Sequence, residues 1–187
     1  MPLDSAEIIV GGTGRLYAAP EGTPLPASLN AAIPGFVDLG YTTEDGAKFT
    51  DSKTTNDIRA WQSFYPTRVH VTARSAMLEF TLLQWNEDTI PLAFGGGGFT
   101  VPAAGEYRYN PPSPETLAVN ALVLDIADGT RNFRIVIPRG FVTSNTESTF
   151  AKTGPALLPI TFTVLSNDDG NPWTIDSDDP TWAPDAS

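Results

Sequence analysis

Apolar and polar positions alternate most regularly in residues 67–85. In 67–74, Val69, Val71 and Ala73 fall on one side and Arg68, His70, Thr72 and Arg74 on the other. In 76–85, Leu78, Phe80 and Leu82 oppose Met77, Glu79, Thr81 and Leu83. A period of two puts successive side chains on opposite faces of a strand, so both runs predict half-buried antiparallel strands, joined tightly at Ser75. Residues 131–137 repeat the pattern, with Phe133, Ile135 and Ile137 inward and Asn132, Arg134 and Val136 outward. Residues 158–165 set Ile160, Phe162 and Val164 against Thr161, Thr163 and Leu165. The apolar run 117–125 reads as a buried strand, and Asp128-Gly129 after it as a hairpin turn.

Shorter extended pieces fall at 15–18, 36–39, 48–50, 141–142, 149–151 and 173–175. Another covers 99–108, interrupted by Pro102 and Gly105. One short helix is predicted over 87–94. Asn86 is suited to cap it, Glu87 and Asp88 suit its positive end, and Pro91 confines it to a turn or two. Gly95 to Gly98 end it and form a flexible connection. They lack the Lys-Ser/Thr that would make them a phosphate cradle. Many short strands with one helix predict an all-β chain, a β-sandwich or partly closed barrel.

Two segments stand apart from this scaffold. Pro20, Pro24, Pro26 and Pro34 prevent most ladder hydrogen bonding and predict an extended arm, so that residues 1–35 form an N-terminal arm. Residues 42–66 are polar, contain the turn signal Glu44-Asp45-Gly46, and read as a long inter-strand loop that carries Ile58, Trp61, Phe64 and Tyr65. The β-domain then spans 36–176, and 177–187 is an acidic C-terminal tail.

Composition narrows the chemistry. The chain has 187 residues and no cysteine, which excludes thiol catalysis, zinc–thiolate sites and disulfides. Its net charge is −11, and six of its 22 acidic residues lie in 165–187, which has no basic residue. No basic cluster offers a grip for phosphates. The opening residues lack a basic n-region and a long apolar run, so neither a secretory signal nor a membrane span is expected. His70, the one histidine, sits in a strand with no nucleophile elbow and reads as a solvent or interface residue. Glu79 reads as a cross-strand partner for Arg68, His70 or Arg74. Asp168, Asp169, Asp176, Asp178 and Asp179 offer oxygen ligands for calcium but lack EF-hand spacing. Trp61, Phe64, Tyr65, Trp85, Trp173 and Trp182 could build a sugar platform, which makes a carbohydrate-binding module the alternative reading. No cofactor, metal or catalytic constellation is expected.

The segments GGTGRLYAAPEGTPLP, FVDLGYTTEDGAKF, DIRAWQS and VHVTARSAMLEFTLLQWNEDTIPLAFGGG occur in that order. RNFRIVIPRGFV and LPITFTVLSNDDGNPWTI follow. In this arrangement the chain resembles the major tail tube proteins of long-tailed, non-contractile bacteriophages, particularly those of actinobacterial hosts. The resemblance implies a non-enzymatic β-sandwich with a flanking helix. It also implies a virion protein, assembled in the host cytoplasm, that forms hexameric rings stacked into a hollow tube. Implied partners are other copies of itself, the tape measure protein, the tail terminator and distal tail or baseplate proteins. Double-stranded DNA would pass through without specific binding, and no membrane is involved. Carried onto this chain, subunit contacts fall on Arg15 and Tyr17 in the arm region and on Asp57, Ile58, Arg59, Trp61, Phe64 and Tyr65. The expected lumen-facing positions are Arg68, His70, Thr72, Glu79 and Thr81.

Overall fold

A computed structural model describes residues 7–143, 146–168 and 170–183. Asp169 and Asp185, counted above in the acidic segment, lie outside the described residues. Ten strands run as β1 Thr13–Pro20, β2 Val37–Asp38, β3 Thr42–Arg59, β4 Pro66–Leu82, β5 Gly98–Ala103, β6 Glu106–Asn110, β7 Asn120–Asp128, β8 Arg131–Val142, β9 Leu158–Val164 and β10 Thr174–Ser177. Among the described residues a single α-helix, α1 Thr89–Ala93, lies between β4 and β5. Eight strands form one antiparallel sheet ordered β2-β1-β7-β8-β9-β4-β3, with β10 also pairing β8. Strands β5 and β6 form a separate hairpin. The fold is all-β and sandwich-like, and the large sheet does not close into a barrel.

The core explains the layering. Leu16 of β1, Leu122 and Leu124 of β7, and Ile135 and Ile137 of β8 cluster with Leu78, Phe80 and Leu82 of β4 and Leu158, Ile160 and Phe162 of β9. The sheet therefore folds over on itself, with β8 passing from one half to the other. Burying each such side chain contributes roughly 1.5–3 kcal/mol. The alternation predicted for 76–82 and for 158–164 is the alternation observed, with the even positions buried from 76 to 82 and from 158 to 162 and Val164 partly buried. The two-residue turn Gly129-Thr130 joins β7 to β8 as Asp128-Gly129 indicated, with Gly129 at φ +61.

Several elements differ from the expectation. The helix is shorter than 87–94, and Asp88 at its cap makes no side-chain bond. Asn86 does the capping, its Oδ1 accepting from the Asp88 and Thr89 amides at 3.0 and 2.9 Å. Residues 149–151 are not a strand. Arg134 and Val136 do not face water; both are buried. Arg134 forms a bidentate pair with Asp125, at 2.6 and 2.7 Å, and donates to the Ser28 and Ala31 carbonyls. The proline-rich segment thus lies back across the outer face of β7 and β8.

The start of the C-terminal segment packs against the body. Trp182 stacks on Phe133, and Asp179, nearly buried, pairs with Arg131 and accepts from the Thr181 amide and hydroxyl. These bonds, Thr181 first and Arg131 after it, hold the Asp179 pKa below the ordinary carboxylate value. A depressed pKa stabilises the fold above the unfolded value, and that contribution is lost as pH falls through the folded one. An Asp179→Asn protein is expected to lose less stability than the wild type between neutral and strongly acidic pH, measured by urea unfolding at each pH.

Candidate interaction site

Residues 42–66 are not a loop. Thr42–Arg59 is an 18-residue strand paired along its length with the 17-residue β4. The two runs expected to be separate strands, 67–74 and 76–85, join in β4, which pairs continuously through Ser75 and ends at Leu82. The signal Glu44-Asp45-Gly46 marks a bulge: between the pairs Thr42↔Leu82 and Ala47↔Phe80, β3 carries extra residues, and Gly46 takes φ +69.

Strand β9 pairs with β4 only from Met77 to Leu82. Beyond that point β3 and β4 continue alone as a two-stranded ribbon. At about 3.4 Å per residue it projects roughly 30–35 Å past the core. No residue from 52 to 75 is buried. The tip carries Trp61 and Phe64, each 99% exposed, and Tyr65, 81% exposed. Ile58, Val69 and Val71 behind them are about half exposed. An isolated two-stranded ribbon is marginal in water. A row of apolar side chains that gains nothing from its own core points to a partner.

Register fixes which side chains share a face. Directly opposed residues lie on the same side of a sheet. Thr54 pairs with Ala73, but Thr55 pairs with Val71, so β4 has one extra residue, Thr72, at that point. The bulge reverses the alternation. Val69 and Val71 therefore lie opposite Asp57 and Thr55, on the face that carries Phe49, Leu78 and Phe80 nearer the core. Arg68 and His70 lie on the other face, with Glu79 and Thr81. The sequence reading that grouped Val69 and Val71 with Ala73, and Arg68 and His70 with Arg74, is corrected by this one residue. A second bulge leaves Thr67 extra between Ile58↔Arg68 and Arg59↔Pro66. In both bulges the threonine hydroxyl donates to a carbonyl across the ribbon, Thr72 to Thr54 at 3.2 Å and Thr67 to Ile58 at 2.9 Å.

The remaining predicted residues fall into separate places. Asp57, Ile58 and Arg59 stand at the ribbon's end beside Trp61, Phe64 and Tyr65. Arg15 and Tyr17 lie on β1, four places from β4 in the strand order. The Arg15 pKa is raised, first by its hydrogen bond to Tyr17 and then by Asp38, which stands 3.7 Å away. Glu79 pairs not with Arg68, His70 or Arg74 but with Lys48, at 2.8 Å, and Arg74 pairs with Asp51. The candidate sugar platform is dispersed. Trp85 stacks on Phe150 and donates to the Ala156 carbonyl, Trp173 meets Phe49 edge-on, and Trp182 rests on Phe133.

Sequence reading missed two features. The first is the ribbon itself. The second is the free backbone along it: among the described residues, nothing pairs with the outer edge of β3, or with β4 on its far side from Pro66 to Ala76. Open edges of this length are templates for strand pairing. Among the described residues no group of three or more His, Asp or Glu side chains is placed to hold a metal, and no helix is long and apolar enough to cross a membrane.

The structure is thus an all-β domain from which a long two-stranded ribbon extends beyond the core. Residues 1–186 match the family described as phage tail tube protein, and the chain belongs to that family. It is a structural component of a phage virion tail. No curated protein matches it.

Proposed function

We propose that this chain is the repeating subunit of a non-contractile, siphovirus-type tail tube, related to those of actinobacterial phages. Six copies close a ring, and rings stack into a hollow conduit for double-stranded DNA. The tape measure protein fills the conduit beforehand, and terminator and distal tail proteins finish its ends. Assembly takes place in the host cytoplasm, and the subunit performs no catalysis.

The observation that carries this reading is the projecting ribbon with its unburied aromatic tip. A head-to-tail contact needs two different surfaces on one subunit. The ribbon end and the β1 surface of Arg15 and Tyr17 supply a pair of them, and the open edges of β3 and β4 allow neighbouring subunits to join laterally.

Negative-stain electron microscopy across a concentration series, with sedimentation alongside, tests the proposal. Uniform rings or hollow tubes are the expected result. A protein that stays monomeric even when mixed with its tail initiator overturns it. Trp61→Ala is expected to weaken ring stacking by about 2 kcal/mol, as truncation of an interface anchor does. The concentration at which tubes appear should rise accordingly, and an unchanged value would remove Trp61 from the interface.

A further inference from the structure

Two segments far apart in sequence meet at the β7–β8 turn. On one side, residues 8–12 lead into β1. The Arg131 guanidinium donates through Nη2 to the Ile8 carbonyl at 2.9 Å, and Asp128 accepts from the Val10 amide at 3.1 Å. The Gly12 amide donates to the Ala127 carbonyl at 3.0 Å. Ile8, Ile9 and Val10 are themselves exposed, so polar bonds rather than apolar packing hold this segment. On the other side, Thr174–Ser177 pairs with β8, and Asp178 accepts from the Asn132 backbone and side-chain amides at 2.7 and 2.9 Å. Arg131 reaches Asp179 through Nη1 at 3.1 Å and also pairs with Asp128. One guanidinium therefore holds both segments. Side-chain exposures of 22% for Arg131, 18% for Asp128 and 3% for Asp179 put the three mostly out of water. There a charge-assisted bond is strong while every partner is in place, and an unpaired member is costly.

We propose that Arg131 couples segments 8–12 and 174–182 into one conformational unit, so that drawing away either segment releases the other. The guanidinium is planar, with its donors in fixed directions. Asp179 on Nη1 sets the orientation in which Nη2 meets both the Ile8 carbonyl and Asp128. With Asp179 withdrawn, the guanidinium turns to hydrate Nη1, and Nη2 leaves the Ile8 carbonyl. With residues 8–12 withdrawn, water reaches Asp128 and Arg131, and the attraction between Arg131 and Asp179 is screened. Openings of this kind are local and cost less than global unfolding. The coupled opening has one structural consequence beyond the segments themselves. It uncovers the edge of β8 from Phe133 to Val136, which Thr174–Ser177 otherwise closes. Either segment is thus a trigger for exposing that edge. The coupling holds whether or not the chain builds a tube.

Hydrogen–deuterium exchange of the full chain, read by mass spectrometry, tests the coupling. Asp179→Asn acts directly on the C-terminal side alone. Val10→Pro lacks the amide that Asp128 accepts from and acts directly on the N-terminal side alone. Asp179→Asn is expected to speed exchange in a peptide covering 7–12 by at least about fivefold, the lower end of coupling between sites. Val10→Pro is expected to speed exchange in 174–182 by a similar factor, because coupling is reciprocal. Arg131→Lys keeps the charge but not the two directed donors, and is expected to free both segments. Acceleration confined to the segment that carries the substitution overturns the proposal, as does unchanged exchange of both segments in Arg131→Lys. Acceleration that extends equally to β9 would place the segments within the cooperative core, and overturns it too.

Discussion

Replacing residues 54–73 with an Asn-Gly turn is expected to give a folded, monomeric protein that forms no tube. Lys53 and Arg74 face each other across the ribbon, so a two-residue turn closes the shortened hairpin at an existing pair. The excised residues include none that is buried, and every member of the core cluster remains. Folding stability should therefore shift by no more than about 1 kcal/mol, in the range of surface changes. Association loses much more. Trp61, Phe64 and Tyr65 leave together, and an aromatic anchor is worth about 2 kcal/mol at an interface. Three of them lower an association constant by several powers of ten, at about 1.4 kcal/mol for each tenfold step. Urea unfolding checks the first half, and sedimentation velocity with electron microscopy checks the second. Tubes of normal length from the shortened protein would show that the ribbon is not the stacking element.

Strands that bury one face were legible in the sequence, and strands that bury neither were not. Residues 76–82 and 158–164 alternate because Leu78, Phe80, Ile160 and Phe162 must reach the core while Glu79, Thr81, Thr161 and Thr163 remain on the other side. Residues 42–59 make little such demand, since Phe49 packs against the core but no residue of the strand is fully buried. Both faces are exposed along the ribbon, so the pattern that marks a strand is missing and the polar composition resembles a loop. The bulge at Thr72 is a property of pairing between two strands, and β4 read alone shows unbroken alternation there. Arg134 misled for a related reason. Its face is covered by the irregular segment around Ser28 and Ala31, which has no period to read. Trp61, Phe64 and Tyr65, assigned from the sequence to contact with another molecule, gather at one exposed end. That assignment needed only the presence of large apolar side chains in a segment too polar to bury them.

Gly140→Ala is expected to cost about 3 kcal/mol, the upper part of the range for overfilling a packed core. Gly140 sits where β8 leaves its pairing with β7 and joins β9, opposite Asn120 on one side and Val164 on the other. A Cβ there would stand 2.6 Å from the Thr163 carbonyl oxygen and closer still to the Phe162 ring. Neither can yield cheaply. The carbonyl belongs to a paired strand, and Phe162 is fully enclosed by the core. Gly46→Ala separates packing from backbone strain. Gly46 has φ +69 with nothing near its missing Cβ, so its substitution costs about 1 kcal/mol through conformation alone. Urea midpoints of the two variants should differ in that order. Because Gly140 is where the sheet crosses between its two halves, the same change is expected to lower tube yield through loss of folded subunit. Tubes that do form should keep normal diameter and stacking. Equal, small effects of both substitutions would mean that the crossing is not the tight point of the fold.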